Sequence, residues 1–189
     1  GHFCRSMMER LMSAGQEYIM LQEQYRMHPD ISSFPSRRFY GGSLVDAVDT
    51  AVHVQGAQKN GCALPPYAVI NVSSGQEKHG ERYWGELTNP KEAESLVRTA
   101  IEVAAQSLGT VVAIAFYSGQ VSLIRRLLAE ASARGEAAAQ RVKVHTVDSF
   151  QGSEADVVLL SFVRANLERR LGFLTEFRRL NVALTRARK

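Results

Sequence analysis

The stretch TVVAIAFYSGQVSLIRRLL, residues 110–128, decides the fold class of this 189-residue chain. Its first seven residues form an almost unbroken apolar run with several β-branched side chains, which is typical of a strand buried on both faces. The turn YSGQ follows, and apolar residues then recur at helical spacing: Val121, Ile124, Leu127 and Leu128. A buried strand that leads directly into an amphipathic helix is the repeating unit of parallel α/β folds.

Three further apolar stretches extend this pattern along the chain. VKVHTV (142–147) alternates like a strand, DVVLLSFV (156–163) has the content of a buried strand, and so does YAVINV (67–72). NPKE (89–92) carries the signals of a helix start, with Asn as N-cap, Pro at N1 and Glu at N3. Alternating strands and helices predict a single α/β domain built on a parallel sheet flanked by helices.

The segments between these elements are predicted from weaker local signals. Residues 29–40 are predicted to form a short helix after an extended strand or turn, and residues 41–65 an irregular connection. Residues 73–87 are polar and punctuated by glycine, which indicates an exposed loop. Because ligands of parallel sheets bind beyond the carboxyl ends of the strands, we expect functional residues at those ends.

The last twelve residues, RRLNVALTRARK (178–189), combine an apolar stripe with positive charge. Wound as a helix at about 100° per residue, they place four apolar residues on one face: Leu180, Ala183, Leu184 and Ala187. Arg179 and Arg186 then lie together on the opposite, polar face. Periodicity alone does not distinguish the roles of these two arginines.

Positive charge is concentrated at this end of the chain. From Arg164 to Lys189, eight basic residues stand against two acidic ones, a balance of +6, whereas the whole chain has a net charge of +4 and the remainder therefore sums to −2. Two interpretations fit equally well. The patch binds a phosphate-bearing partner, or it is a solvated surface with cations placed favourably at a helix C-terminus.

Composition is that of an ordinary soluble globular protein, with 45% hydrophobic and 22% charged residues. No apolar run approaches the roughly 18 residues that a membrane span needs. Cys4 and Cys62 are isolated and make no metal-binding pattern with the histidines. Reduced thiols in an intracellular protein, cytoplasmic or nuclear, are therefore expected.

Three polar stretches adjoin the predicted elements. QGSEAD (151–156) allows close backbone approach at Gly152 and offers a carboxylate at Glu154, although a tight turn is the simpler interpretation. In YSGQ (117–120), Ser118 is a natural N-cap whose neighbouring N–H groups can hold a phosphate, or it is a cap and nothing more. His28, which precedes Pro29 in QYRMHPD, is more often structural than catalytic.

These residues alone do not make an independent active site. The sequence has no G-x-x-x-x-G-K-[ST] loop for the β- and γ-phosphates of a nucleotide, and no convincing Ser-His-Asp order or metal-ligand cluster. An isolated phosphoesterase or nuclease is therefore disfavoured.

Four blocks in order closely resemble superfamily 1 helicases, in the group typified by the nonsense-mediated-decay helicase and senataxin. They are LQEQYRMHPDI (21–31), AFYSGQV (115–121), VHTVDSFQGSEADVVLLSFVRAN (144–166) and GFLTEFRRLNVALTRARK (172–189). The resemblance implies that residues 21–189 form the second of two RecA-like domains, truncated before the family's last strand and helix. Residues 1–20 are then a lead-in, with a tag remnant at residues 1–2.

The resemblance also implies an activity, that of an ATP-dependent RNA or DNA helicase. In that family ATP with Mg²⁺ binds between the two domains, and the first domain supplies the phosphate loop and the metal ligands. The implied partners are single-stranded RNA or DNA and the first RecA-like domain, with no membrane. This chain alone is then expected to be inactive. The alternative is a nucleic-acid-binding module of a catalytically inactive helicase-like protein.

Matched residue by residue, the resemblance implies a nucleotide site. Arg186 and Arg26 would reach the γ-phosphate, and Tyr25 would pack on the adenine. Gly152 and Glu154 would lie beside the ribose and phosphates.

The resemblance implies a second, strand-binding group as well: Tyr117, Ser118, Gln120, Thr146 and Ser149. The family usually has Thr-Pro-Tyr where this chain has Ala115-Phe116-Tyr117, so a hydroxyl and a rigid proline are missing at this turn. Arg179 is left with a structural or ion-pair role, as arginines near helix ends commonly have.

Overall fold

The computed structural model describes residues 5–48, 50, 64–80 and 86–188. Cys4, Cys62 and residues 1–2, where a tag remnant is predicted, lie outside the described residues. So do residues 49 and 51–63, within the predicted connection, and residues 81–85 of the predicted loop.

A three-stranded parallel sheet forms the centre of the domain. Its strands are β3 (Val111–Ala115), β4 (Val142–Thr146) and β5 (Val157–Ser161), and β3 lies between the other two. The register pairs Val111 of β3 with Val142 of β4 and with Val157 of β5. The predicted fold class, a parallel α/β sheet flanked by helices, is confirmed.

Alternate residues of β3 face two separate cores, as the period of a strand requires. On one face Val111, Ala113 and Ala115 pack against α3 (Pro90–Gln106) and α4 (Ser118–Ala133). On the other face Val112 and Ile114 pack with residues of the segment after β4 and of α5 (Phe177–Leu184). Every residue of β3 is buried, which explains its unbroken apolar run.

Helices α3 and α4 begin where the sequence predicts, but their caps differ. The Asn89 side chain accepts a hydrogen bond from the Glu92 N–H at 3.2 Å, which confirms the predicted N-cap of α3. The N-cap of α4 is Tyr117, without a side-chain cap, so the prediction that Ser118 fills this position is wrong. Ser118 is instead the first residue of the helix.

The N-terminal part of the chain adds a small layer beside the sheet. It contains α1 (Met7–Ser13), β1 (Glu23–Gln24), α2 (Pro29–Phe39) and β2 (Val45–Asp46). The predicted helix over residues 29–40 is confirmed, with Tyr40 as its C-cap. Residues 41–65 are predicted to be an irregular connection, and this is wrong at Val45–Asp46, because β2 pairs there in parallel with β1.

Residues 67–72 do not form the predicted buried strand. Val69 and Ile70 are exposed, and no described residue of this stretch belongs to a strand. The stretch instead borders an open cavity of about 550 Å³ that β5 also lines. With no strand on that side of it in the described sheet, β5 is only half-buried at Val157–Leu160, which corrects the prediction of a buried strand.

The C-terminal helix is shorter than its periodicity predicts. Helix α5 ends at Leu184, and Thr185 is its C-cap, so Arg186 and Ala187 lie beyond the helix. The chain then turns alongside the residue that precedes β5. The Ala155 N–H donates to the Arg186 carbonyl at 3.1 Å, and the Arg188 N–H donates to the Ala155 carbonyl at 3.0 Å. This parallel bridge replaces a further helical turn.

Candidate functional site

Three separate segments meet beside the amino end of β5. The bridge between Ala155 and Ala187 joins the segment before β5 to the C-terminal segment. The His28 N–H donates to the Arg188 carbonyl at 3.0 Å, which brings in the segment before α2. This junction places Arg26, Glu154, Arg186 and Arg188 together, and we call these four residues the arginine cluster.

Glu154 is the shared acceptor of the arginine cluster. Its Oε2 accepts from Arg26 Nε at 2.5 Å, and its Oε1 accepts from Arg188 Nη2. Hydrogen bonds from Arg188 and then Arg26 hold the pKa of the Glu154 carboxyl below its ordinary value. The same bond to Glu154 raises the pKa of Arg188. Both oxygens of the carboxylate are thus engaged by cations.

Arg186 bonds only to neutral oxygens among the described residues. Its Nε donates to the Val182 carbonyl at 2.8 Å, its Nη2 to Thr185 Oγ1 at 2.9 Å, and its Nη1 to the Ser153 carbonyl at 3.2 Å. Burial, and next the nearby charge of Arg26, lower the pKa of Arg186. The guanidinium group nevertheless keeps its positive charge, because the charge is delocalised over the planar group.

Arg26 and Arg186 are linked through one residue. Arg26 Nη1 donates to the Thr185 carbonyl at 3.0 Å, while Thr185 Oγ1 accepts from Arg186. Three guanidinium groups therefore surround a single carboxylate, and the arginine cluster carries a net charge of +2. An excess of partly buried positive charge is a favourable environment for an anion, and guanidinium groups suit phosphate oxygens.

The two other residues of the implied nucleotide site lie next to the arginine cluster in sequence. The Tyr25 side chain is 69% exposed, and its hydroxyl donates to Glu23 Oε2 at 2.7 Å, so the ring is accessible for stacking. Gly152 has φ +83° in the turn before Glu154, a conformation that favours glycine, and open space lies on the side where a Cβ would stand.

The implied strand-binding residues follow the carboxyl ends of β3 and β4, at the opposite end of the sheet from Glu154. Ser118 and Ser149 are exposed, and Thr146 is half-buried. Thr146 and Ser149 bond to each other: the Ser149 N–H donates to Thr146 Oγ1 at 3.2 Å and the Thr146 N–H to Ser149 Oγ at 3.1 Å.

Two residues of that group are not surface residues in this structure. Gln120 has no exposed surface, and Tyr117 is only 2% exposed. The Tyr117 hydroxyl accepts from the Phe173 N–H at 3.3 Å, and its ring packs on that of Phe173. The expectation that Tyr117 and Gln120 lie on a strand-binding face is therefore corrected, because both side chains are used for internal packing and hydrogen bonding.

Gln120 belongs to a buried polar network that the sequence did not reveal. Its Oε1 accepts from the Asn89 N–H at 2.8 Å, and its Nε2 donates to the Asn89 carbonyl at 3.2 Å and to Ser161 Oγ at 3.0 Å. We call Asn89, Glu92, Gln120 and Ser161, with the main chain of Val163, the strand-end network.

The strand-end network holds an unusual backbone conformation. Val163 has φ +70°, which is strained for a β-branched residue. Its N–H donates to Glu92 Oε2 at 2.9 Å, and its carbonyl accepts from Asn89 Nδ2 at 3.1 Å. Glu92, recognised from sequence only as a helix-start residue, therefore fixes the exit of the chain from β5.

A second buried contact fixes the loop after β5. Glu77 Oε2 accepts from the Ala165 N–H and from Asn166 Nδ2, each at 3.0 Å, and lies 3.3 Å from Arg164 Nε. Burial raises the pKa of Glu77, but the hydrogen bonds of Asn166 and Ala165 and the charge of Arg164 outweigh it, so that the pKa is lowered overall. This contact removes Arg164 from the freely exposed basic patch.

Arg179 forms an ion pair, as the sequence predicts. Its Nη2 lies 3.0 Å from Asp148 Oδ2, and its guanidinium group stacks on the Phe173 ring. Arg179 therefore contacts a different part of the molecule from Arg186, which the helical projection did not distinguish.

Arg188 is the residue of the arginine cluster that sequence reasoning missed. Its position two residues after Arg186 is the only signal, because alternate residues of an extended segment lie on one side. A helical interpretation of residues 178–189 removes that signal.

The described residues contain no group of three or more His, Cys, Asp and Glu side chains that would hold a metal ion. Among them, no helix is both long enough and apolar enough to cross a membrane.

Comparison with known proteins gives a consistent family. A family model described as an AAA domain matches residues 3–189. The probable helicase MAGATAMA 3 of Arabidopsis thaliana is 35% identical over 188 residues, covering 97% of this chain and 23% of that protein. The regulator of nonsense transcripts 1 homolog of the same plant is 37% identical over 195 residues, covering 97% of this chain and 15% of the relative.

A yeast relative agrees with these two. The ATP-dependent helicase upf1 of Schizosaccharomyces pombe is 34% identical over 189 residues, covering 97% of this chain and 20% of its own length. The chain therefore spans less than a quarter of each of these three relatives.

Proposed function

This chain belongs to the superfamily 1 helicases, in the group of the nonsense-mediated-decay helicase and senataxin, and we propose that it is the second RecA-like motor domain of an intracellular ATP-dependent RNA or DNA helicase. In this role it supplies Arg186 and Arg26 to ATP in the cleft between two motor domains. It also supplies part of the single-strand-binding surface.

The arginine cluster is the observation that carries this proposal. Three distant segments of the chain meet at this cluster, which has a net charge of +2. Tyr25, whose ring is largely exposed, directly precedes Arg26 in the chain. This chemistry fits a polyphosphate with a base attached. Phosphoryl transfer is catalysed mainly by positioning and by neutralising charge, which arginines from a second domain provide when a cleft closes.

Each residue has a distinct task in the proposed reaction. Arg186 bonds only to neutral oxygens within the described part of the chain, so its charge is available to stabilise negative charge developing on the transferred phosphoryl group. Arg26 keeps Nη1 on the Thr185 carbonyl and Nε on Glu154, which orients its fork. Tyr25 offers a flat ring for stacking on the adenine. ATP with Mg²⁺ is the proposed ligand, and the other motor domain is proposed to hold most of the metal contacts.

The proposed nucleic-acid surface is smaller than the sequence implies. Ser118, Thr146 and Ser149 remain candidates at the carboxyl ends of β3 and β4, whereas Tyr117 and Gln120 do not. Phosphate contacts by the basic C-terminal region make binding dependent on salt. We expect this chain alone to bind single strands weakly, and expect it not to hydrolyse ATP.

The test is steady-state ATP hydrolysis by the full-length protein, without nucleic acid, with single-stranded RNA and with single-stranded DNA. Stimulation by one of the two is expected and also identifies the substrate. Nucleic-acid binding without any ATP turnover would instead support an inactive helicase-like module. Turnover by the 189-residue chain alone, after contaminants are excluded, would contradict the assignment of the phosphate-binding loop to another domain.

A further inference from the structure

We propose that Arg188 is a positioning residue for ATP hydrolysis: by holding one oxygen of Glu154, it limits Glu154 to a single contact with Arg26, through Nε, and leaves Nη2 of Arg26 for phosphate. This inference rests on the proposed function.

The backbone of Arg188 is fixed before its side chain makes any contact. Its N–H donates to the Ala155 carbonyl and its carbonyl accepts from the His28 N–H, each at 3.0 Å. Ala155 directly follows Glu154, and His28 lies two residues after Arg26. Arg188 is therefore the residue at which the three segments of the arginine cluster are joined.

The carboxylate of Glu154 is divided between two arginines, one on each oxygen. A carboxylate that faces a single guanidinium group prefers to bind it through both oxygens, because the two forks match in geometry. Arg188 occupies Oε1 and so prevents that arrangement. The contact from Arg26 to Glu154 uses Nε alone, and the other bond of the Arg26 side chain uses Nη1.

Loss of Arg188 then has a specific consequence. Glu154 becomes free to bind Arg26 through both oxygens, which occupies Nη2 as well as Nε. The charge of the carboxylate then acts on Arg26 alone, instead of being shared with Arg188. Because Arg26 acts on charge that develops during the reaction, the loss falls on kcat rather than on the KM for ATP. A misplaced catalytic contact costs on the order of tenfold to a hundredfold in rate.

A double-substitution cycle in the full-length protein tests this inference, with R188A, E154Q and the combined variant. In the wild-type background R188A is expected to lower kcat by on the order of tenfold or more. In the E154Q background the same substitution should have little further effect on kcat, since a neutral amide does not capture Arg26. R188K is expected to retain most of the activity, because Arg188 uses one donor only.

A matched control and a second measurement keep the outcomes separate. Arg134 forms an exposed ion pair with Glu136 at 3.2 Å, so R134A controls for the loss of a surface arginine.

The ¹³C signal of the Glu154 carboxyl should titrate at higher pH in R188A than in wild type, and this measurement does not depend on ATP turnover. Equal kcat losses from R188A in both backgrounds, or an unchanged Glu154 titration, would overturn the inference. Absence of turnover in wild type would overturn the proposed function, while the titration would still decide whether Arg188 holds Glu154.

Discussion

The arginine cluster and the strand-end network each contain a hydrogen-bonded glutamate, but the partners of that glutamate differ. In the strand-end network, buried amides, a hydroxyl and a carboxylate meet each other's hydrogen-bonding needs around Val163. In the arginine cluster, Arg26 and Arg188 share one carboxylate. Among the described residues, Arg186 bonds only to neutral oxygens. Unbalanced charge, rather than polarity at strand ends, therefore distinguishes the region that we propose contacts phosphate.

The two regions also differ in their place on the sheet. The strand-end network adjoins the carboxyl ends of β3 and β5, where ligands of parallel sheets are usually expected. The arginine cluster lies beside the amino end of β5. We therefore expect substitutions in the arginine cluster to change catalysis and those in the strand-end network to change stability.

The largest effect is expected from Arg186. In the full-length protein, Arg186→Ala should lower ATP turnover on the order of a thousandfold, because an arginine of this kind acts mainly on the transition state. Arg186→Lys should also lose most of its ATP turnover, since an ammonium group lacks the planar, two-pronged geometry of a guanidinium group. Steady-state kcat and nucleotide affinity measure this, and affinity should change far less than kcat. A loss of nucleotide binding that matches the loss of turnover would show that Arg186 acts on the ground state.

The next effect concerns the strand-end network. Gln120→Ala removes three buried hydrogen bonds and should destabilise the fold by about 2–4 kcal/mol, since buried partners are left unsatisfied and a cavity opens. Urea unfolding measures it. The matched control is Gln140→Ala, an exposed glutamine that donates to Ser132 Oγ at 2.9 Å, which should be nearly neutral. Similar losses for both variants would refute the structural role of Gln120.

The sequence predicts β3 and the start of α3 correctly, but it does not predict the exposed state of residues 67–72. β3 has one apolar run because both of its faces are covered, and Asn89 caps α3 as its position indicates. Residues 67–72 have the same apolar character but lie exposed beside a cavity. Local composition reports the tendency to form a strand, whereas pairing depends on a neighbour that is distant in the chain.

The candidate site shows the same limit. Arg26 and Arg186 were found through motif resemblance, whereas the helical projection concealed Arg188, because pairing with Ala155 ends the helix after Leu184. Gln120 belongs to the same YSGQ motif as the exposed Ser118, but its side chain is buried and accepts a hydrogen bond from the Asn89 N–H. The positions of both Arg188 and Gln120 are set by contacts with residues distant in the sequence, which local patterns do not report.

A smaller effect is expected from acid pH. The pKa of Glu154 is lowered in the folded state, so its ion pairs add stability at pH values above the ordinary carboxyl pKa. That stability is lost as the pH falls through the lowered pKa of the folded state. The difference in unfolding free energy between wild type and Glu154→Gln should therefore shrink from neutral to acid pH. Urea unfolding across this range measures it, and a constant difference would argue against the ion pairs.

The smallest effect is expected from Arg179. Its ion pair with Asp148 is partly exposed, so Arg179→Ala should cost about 0–1 kcal/mol of stability. Turnover should remain close to that of wild type. A loss of turnover deeper than that of Arg186→Ala would mean that the two arginines have been assigned the wrong roles.

The most direct test of the central claim compares Arg186→Ala with Gln120→Ala in the full-length protein, as ATP turnover per mole of folded molecule. Arg186→Ala is expected to fold correctly with turnover nearly abolished. Gln120→Ala is expected to be less stable, with close to normal turnover in the molecules that remain folded. The opposite pattern, with normal turnover in Arg186→Ala and specific inactivation in Gln120→Ala, would place the chemistry in the strand-end network instead of the arginine cluster.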